Sequence, residues 1–292
     1  MIPICLFTYN RLRETKQTII ALQNNFLAKE SNLFVFSDGS KSNHDKISVA
    51  NVREYLKTIQ GFKSVTIIET LENKGLATSI IDGVSQVFQN HDCVIVLEDD
   101  LVTSPNFLNF MNQALNYYKY NEKILSVSGW SLPLKSLCNL KSDYYYHHRM
   151  SSWGWGIWKD RWSKINWDKK YFSSFKWNLK AQLGFQKGGY DMPKMLKDYL
   201  KKRNNSWAIR ACYHQFEHDL LTVAPKLSKV NNIGFGVDAT HTKNYNRFDQ
   251  PLDNSLQISF DFRNEINVNK KIVREYRNKF SLLAKIKSRI KF

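Results

Sequence analysis

Two hydrophobic periods alternate along the first hundred residues. Short unbroken apolar runs occupy residues 2–7, 33–36, 65–68 and 93–97. Between them apolar side chains recur at spacings of three and four, as in Thr15, Ile19, Leu22 and Phe26, in Val49, Val52, Leu56 and Ile59, and in Leu76, Ile80, Val84 and Val87. The first period predicts buried strands and the second predicts amphipathic helices. Strands alternating with helices of this length make βαβ units and a mostly parallel sheet. Each predicted strand ends in polar residues: Thr8-Tyr9-Asn10-Arg11, Ser37-Asp38, residues 69–73, and Glu98-Asp99-Asp100. Parallel strands share a direction, so these ends converge on one edge, where open α/β sheets bind ligands.

The later pattern is less regular. A helix is predicted around Phe107, Phe110, Met111, Ala114 and Leu115, then a strand over 124–130. Seven of the eight tryptophans fall between Trp130 and Trp177. Trp158 and Trp162 are spaced as one helix face, whereas Trp153 and Trp155 flank glycines in an expected loop-to-helix entry, where a ring can face a ligand. Residues 184–189 read as a loop, 192–200 and 207–216 as helices, and 220–224 as a strand. The last 23 residues carry nine Lys or Arg and one Glu, with Leu282, Leu283, Ile286 and Ile290 on one helical stripe.

Charge narrows the function classes. The 292 residues carry 43 Lys and Arg against 26 Asp and Glu, a net +17, which suggests a polyanionic partner. Nearly half of the excess lies in the tail, and the strand ends bear acids that repel bare phosphates. A nucleic-acid-binding protein is therefore disfavoured. The tail reads as a basic amphipathic helix on an anionic membrane surface, or alternatively as a solvated helix closing the domain. No apolar run is long enough to cross a bilayer and no leader pattern opens the chain. The four cysteines, Cys5, Cys93, Cys138 and Cys212, form no close pair, as expected of a reduced, cytosolic protein. The expected location is the cytoplasm, peripheral at the inner face of the membrane.

The chemistry concentrates at Cys93-Val94-Ile95-Val96-Leu97-Glu98-Asp99-Asp100. Three adjacent carboxylates repel one another unless a cation or hydrogen bonds offset them. They form either a divalent-metal site for a phosphorylated ligand or an acidic cap on the helix that follows Pro105. No loop is Gly-x-Gly-x-x-Gly or a P-loop. A metal-dependent phosphoesterase needs more ligands than Asp38 and His241 add, and a sugar-binding module leaves the acids unexplained.

Taken in order, Phe7-Thr8-Tyr9-Asn10-Arg11, Phe36-Ser37-Asp38-Gly39, Asn73-Lys74-Gly75-Leu76-Ala77, Glu98-Asp99-Asp100 and Trp153-Gly154-Trp155-Gly156-Ile157-Trp158 resemble the GT-A class of nucleotide-sugar glycosyltransferases. Within it the chain looks like bacterial family-2-like enzymes of surface polysaccharide and lipopolysaccharide synthesis, and more distantly like the N-acetylglucosaminyltransferase I group. The resemblance implies a catalytic domain over 1–245, with a nucleotide-sugar-binding half over 1–120 and an acceptor half over 121–245. A C-terminal extension, 246–292, follows.

It also implies residue roles. Asp100 would bind Mn²⁺ or Mg²⁺ bridging the donor diphosphate, with His241 completing the metal sphere; otherwise His241 is a loop histidine. Glu98 and Asp99 would hold ribose, sugar or metal-bound water. Thr8, Tyr9, Arg11, Asp38, Asn73, Lys74 and Gly75 would line the nucleotide, although Asp38 also suits an Asp-Gly turn and Lys74 a solvated loop. Trp153 and Trp155 would touch donor sugar or acceptor. An inverting transferase needs a carboxylate base. Where related enzymes often carry an acid, this chain reads Asn204-Asn205-Ser206-Trp207, so Asp191, in an expected mobile loop, is the first candidate and Glu217 the second. The implied reaction moves a sugar, taken to be from a UDP-sugar, to a glycan or lipid-linked acceptor.

Overall fold

A computed structural model describes residues 1–235 and 248–290. The first half is built as the apolar periods predict. Strands β1 (Ile4–Thr8), β2 (Asn32–Ser37), β3 (Ser64–Glu69) and β4 (Cys93–Glu98) alternate with helices α1 (Leu12–Gln23), α2 (Lys46–Leu56) and α3 (Leu76–Val87). All four strands are parallel, in the order β3-β2-β1-β4. Their register aligns Thr8 with Ser37, Ser37 with Glu69, and Phe7 with Glu98, so the four polar ends stand at one edge. The apolar runs are continuous because these strands are covered on both faces. Ile4, Leu6, Ile95 and Leu97 belong to one core, and Cys5, Phe7, Val94 and Val96 to the other.

Beyond β4 the sheet continues with mixed direction. Strands β5 (Leu101–Thr103), β6 (Ile124–Ser128), β7 (Tyr144–His147), β8 (Trp155–Trp158), β9 (Leu221–Pro225) and β10 (Val230–Asn232) follow in the chain. The eight-stranded sheet runs β3-β2-β1-β4-β8-β6-β9-β7, while β5 and β10 form a separate antiparallel pair. Helices α4 (Phe107–Tyr117), α5 (Lys159–Trp162), α6 (Leu179–Phe185), α7 (Met192–Leu200) and α8 (Trp207–Glu217) flank it. This is a mixed α/β fold with a large, mostly parallel central sheet, consistent with the GT-A class.

One expectation about local structure is overturned. The Trp-Gly-Trp-Gly stretch is no loop-to-helix entry, because Trp155–Trp158 is strand β8, antiparallel between β4 and β6. Its glycine is needed there: a Cβ on Gly156 would lie 2.6 Å from a Leu115 methyl and 3.0 Å from the Val94 carbonyl oxygen. Trp158 Nε1 donates to the Leu115 carbonyl at 3.1 Å, fixing α4 across the strand.

The C-terminal part is woven into the body. Phe260 and Phe262 pack edge-on and tilted against Phe110 of α4, with centroids 5.2 and 5.7 Å away. Where a single basic helix was expected from Lys270, two stand: α9 (Lys270–Lys279) and α10 (Leu282–Ile290). Helix α9 buries Ile272 and Tyr276, and Tyr276 stacks on His147 at 4.7 Å. Helix α10 leaves Leu282 and Leu283 exposed.

A buried ion pair secures residues 248–262. Lys229 and Asp253, whose side chains are 3% and 1% exposed, bond directly, and Asn106 Nδ2 donates to the same Asp253 carboxylate at 2.9 Å. Removing one charge strands the other in the interior. Asp253→Ala is expected to cost about 3–5 kcal/mol in urea unfolding, and the paired Lys229→Met, Asp253→Leu replacement to recover most of it.

Candidate active site

The acids at the end of β4 are positioned by three neighbouring elements. After Glu98 the chain turns through Asp99 and Asp100 into β5, which pairs with β10 in the register Leu101 to Asn232. That pairing sets residues 233–235 against Asp100, with the Ile233 amide donating to the Asp100 carbonyl at 2.9 Å. From α1, Thr18 Oγ1 donates to the Asp99 carbonyl at 2.9 Å. Arg11, just before α1, reaches both acids: Nη2 bonds Asp99 Oδ1 and lies 3.0 Å from Asp100 Oδ2. The Tyr9 amide approaches Asp99 Oδ2 at 3.4 Å.

One guanidinium against three carboxylates leaves the cluster under-compensated. Burial, and then the charges of Asp100 and Asp99, push Glu98 well above the usual carboxylate range. Burial also carries Asp99 up to about 6, against the pull of Arg11. Arg11 is held more firmly protonated by Asp99 and Asp100 although burial alone acts the other way. Asp100 Oδ1 is buried and has no hydrogen-bond partner. The backbone closes over it: a Cβ on Gly234 would lie 2.1 Å from Asp100 Oδ2 and 2.9 Å from Arg11 Nη1.

Two loops beside the acids are knitted together by Asp38. Its Oδ1 accepts from the amides of Gly39 and Lys74, both at 2.9 Å, and from Thr70 Oγ1 at 3.1 Å; its Oδ2 accepts from the Gly75 amide at 2.9 Å. Asp38 is thereby an anchor for the loop that opens α3. Asn73 serves the same contact, donating to the Gly39 carbonyl at 2.8 Å. The loops approach so closely that a Cβ on Gly39 would meet the Glu72 carbonyl carbon at 2.5 Å. Gly75 takes φ +73° immediately before α3, a conformation that favours glycine. Tyr9 holds the loop after β2, its hydroxyl donating to Asp45 at 3.1 Å and accepting from the Lys41 amide at 3.0 Å. Thr8 stays within the sheet, its hydroxyl 3.4 Å from the Phe36 carbonyl.

The strand edge thus gathers Thr8, Tyr9, Arg11, Asp38, Asn73, Gly75, Glu98, Asp99 and Asp100. The Lys74 ammonium turns away to Asp82 on the exposed side of α3, at 3.0 Å, so only its backbone serves this edge. Trp153 is half-buried with its ring 4.8 Å from Trp130 and 6.0 Å from Phe235, next to the Gly234 that covers Asp100. His241 lies outside the described residues.

Two expected roles and one expected setting need correction. Trp155 contacts no ligand surface: it is wholly buried in β8, against Trp207 at 4.7 Å and Trp162 at 5.6 Å. Glu217 is at the wrong edge. It ends α8 just before β9, and Leu221 aligns with Ile124 at the start of β6, whereas the end of β6 aligns through Trp155 with Val96 and the acid edge. Glu217 instead binds the Tyr171 hydroxyl. Asp191 sits in no loose loop: it precedes α7 in a two-pronged pair with Arg149, at 2.8 and 3.2 Å.

Some side chains that shape this edge escaped the sequence pattern. Arg53 of α2 ties the ends of β2 and β3, donating to the Thr70 carbonyl at 2.7 Å and pairing with Glu69 at 3.2 Å. Its place in a predicted polar helix gave no sign of this. Arg149, which holds Asp191 rather than this edge, was equally silent, being one of many basic residues.

The electrostatics of Glu98 can be tested by pH. Glu98 binds its proton more tightly folded than unfolded, so stability falls as pH rises from the ordinary value of 4.5 toward the raised one. The slope approaches 1.4 kcal/mol per pH unit, about the value of one proton. Glu98→Gln cannot ionise. It should match the wild type in urea melts at pH 4 and exceed its stability at pH 8; a variant weaker than wild type at pH 8 contradicts this charge balance.

Comparison with known proteins agrees with this arrangement over the first half of the chain. Residues 4–123 match the family described as Glycosyl transferase family 2. Among solved structures, the chain is similar to a mannosyltransferase from Pyrobaculum calidifontis, solved in complex with GDP-Man and Mn²⁺. The two share 12% identity, with a TM-score of 0.38, over 55% of this chain and 44% of that one. The chain therefore spans less than half of that protein's length. No curated protein matches. Over residues 4–123, the segment that builds β1 to β4 and the acid edge, the chain is thus similar to glycosyl transferase family 2.

Proposed function

We propose that the chain is a divalent-metal-dependent, inverting transferase that moves a sugar from a nucleoside diphosphate, with UDP as the expected nucleotide, to a glycan or lipid-linked acceptor of bacterial surface polysaccharide or lipopolysaccharide. The observation that carries the reading is the Asp100 carboxylate: buried, with one oxygen unpaired, at the edge where four parallel strands end. Among the described residues no group of three or more side chains stands ready to hold a metal by itself. That suits Mg²⁺ or Mn²⁺, which one or two carboxylates hold together with substrate phosphates. Asp100 is the proposed ligand, with Asp99 beside it and His241 a further candidate. Such a cation would act as a Lewis acid, offsetting charge on the departing nucleoside diphosphate.

The remaining steps fall to the chain's own side chains. Arg11, already between Asp99 and Asp100, is placed to meet donor phosphates with a planar fork of donors. The loop that Asp38 fixes presents Asn73 and Gly75 to the nucleotide. Trp153 offers an apolar ring face to a sugar. Asp191 is retained as the proposed base, whereas Glu217 is not. The division into donor half, acceptor half and C-terminal extension is also retained, although the extension packs on both halves. Exposed Leu282 and Leu283 on α10, amid Lys285 and Lys287, support attachment to the anionic inner leaflet. No helix among the described residues is long and apolar enough to cross a membrane.

Titration calorimetry with a panel of nucleotide sugars, with and without Mn²⁺, tests the reading. One donor is expected to bind saturably and only with metal, and Asp100→Asn to weaken that binding by about tenfold or more, the scale of one lost charged contact. Equal affinity for Asp100→Asn and wild type would sink the assignment.

A further inference from the structure

The acceptor side carries a second feature that neither the donor site nor the tail explains. Helices α6 and α7 enclose an open groove of about 460 Å³, lined by Leu179, Leu183, Tyr190 and Pro193 with Lys194 and Lys197 on its rim. Its leucines are unusually bare, Leu179 72% and Leu183 68% exposed, and Trp177, outside the groove two residues before α6, is 79% exposed. Leu179 and Leu183 are four residues apart on α6, so they share one face. The neighbouring cations Lys176, Lys180 and Lys187 leave the charge strongly positive, and Lys176 lies over the Trp177 ring at 5.0 Å. The acids nearby are spoken for: Asp198 pairs with Lys194 and Arg203, and Asp191 with Arg149.

This face runs on into the C-terminal helices. Arg277 of α9 stacks on the Tyr190 ring at 4.8 Å. At the end of α9, Phe280 comes so near Gly189 that a Cβ there would lie 3.2 Å from the Phe280 Cβ. Two residues later α10 begins with Leu282 and Leu283. Phe280 also packs on Phe248 at 5.3 Å, and Phe248 on Trp153 at 6.3 Å, so aromatic rings connect the face to the covered acid site.

We propose that the α6–α7 groove, with Trp177, Leu179 and Leu183, is a membrane-binding face that docks on an anionic lipid surface and acts jointly with α10. The inference rests on the reading of the chain as an enzyme that meets a lipid-linked acceptor. Lys194 is paired with Asp198, but Lys176, Lys180, Lys187 and Lys197 make no ion pair among the described residues. An apolar stripe bordered by them matches a leaflet of anionic headgroups, with the rings and leucines entering the headgroup boundary and these lysines meeting phosphate. A tail alone tethers the protein without orienting it. Two separated contacts fix which side faces the bilayer.

Sedimentation with vesicles of phosphatidylglycerol and phosphatidylcholine, compared with phosphatidylcholine alone, tests this on the full chain. Three variants are measured: Leu179→Glu with Leu183→Glu, Trp177→Ala, and a chain ending at Ser281. The leucine variant is expected to lose affinity for anionic vesicles by about tenfold or more, as two apolar anchors and their lysines are opposed. Its donor-nucleotide binding and thermal melt should be unchanged, because both leucines are surface groups. Brominated lipid should quench wild-type fluorescence, and Trp177→Ala should remove part of that quenching. Full affinity in the leucine variant with loss in the chain ending at Ser281 would overturn the groove and leave the tail. No vesicle binding by any form would overturn both while leaving donor binding as a separate question. Self-association abolished by the leucine variant, without vesicle binding, would assign the groove to a second copy of the chain and overturn the proposal.

Discussion

The charge balance at Arg11, Asp99 and Asp100 is the constraint on which the first half of the chain depends. Parallel strands deliver their ends to one edge, and here they deliver three consecutive carboxylates to a place that burial makes costly. Arg11 offsets part of that cost. It can do so because β1 ends beside β4, so that the residues after Thr8 emerge next to those after Leu97. The remainder of the imbalance shows as raised proton affinity at Glu98 and Asp99 and an unpaired oxygen on Asp100. A folded chain that tolerates such a cluster keeps an anionic hole whose natural complement is a cation. The imbalance costs stability in the free protein, and the proposed cation would relieve it.

Around that hole the backbone, more than the side chains, does the shaping. Asp38 spends its carboxylate on four donors of its own chain and converts two flexible turns into one rigid wall. Gly39, Gly156 and Gly234 stand where a single methyl group would collide with backbone, a leucine or a carboxylate. Close packing makes such positions intolerant, since a methyl that cannot be absorbed must displace an element. The geometry of the acids is thus set by contacts with no catalytic chemistry of their own.

The sequence exposed strands β1 to β4 plainly and the later elements poorly, for a physical reason. Strands β1 to β4 are buried on both faces, so their apolar runs are continuous and hard to mistake, and their polar ends announce the binding edge. Strand β8 is also buried on both faces, but it is made of tryptophans and a glycine, which imitate a ligand loop. Its spacing of Trp155, Trp158 and Trp162 fits a helix face as well as a strand continuing into a short helix. Trp155, flanked by Gly154 and Gly156, reads as part of a loop instead. Strand β7, Tyr144–His147, is aromatic and short, and β5 and β10 have three residues each, too few for a period to register. Ion pairs such as Arg11 with Asp99, or Arg149 with Asp191, join residues far apart in sequence and leave no local trace. Glu217 could be excluded only once the register placed the start of β9 at the opposite edge.

The tail shows how composition can be right about charge and incomplete about position. A basic amphipathic stripe was legible from Lys270 onward, but α9 uses its apolar side to bury Ile272 and Tyr276 in the body, and only α10 remains free. Glu275, the one acid of the segment, accepts from the Lys135 and Ser136 amides at 2.6 and 2.8 Å and pins α9 in place. Because α9 ends against Gly189, α10 begins two residues from the body rather than after a long linker. A short helix held in this way cannot search for a surface independently of the domain. The face nearest its start, through Arg277 and Phe280, is that of Gly189 and Tyr190 just before α7.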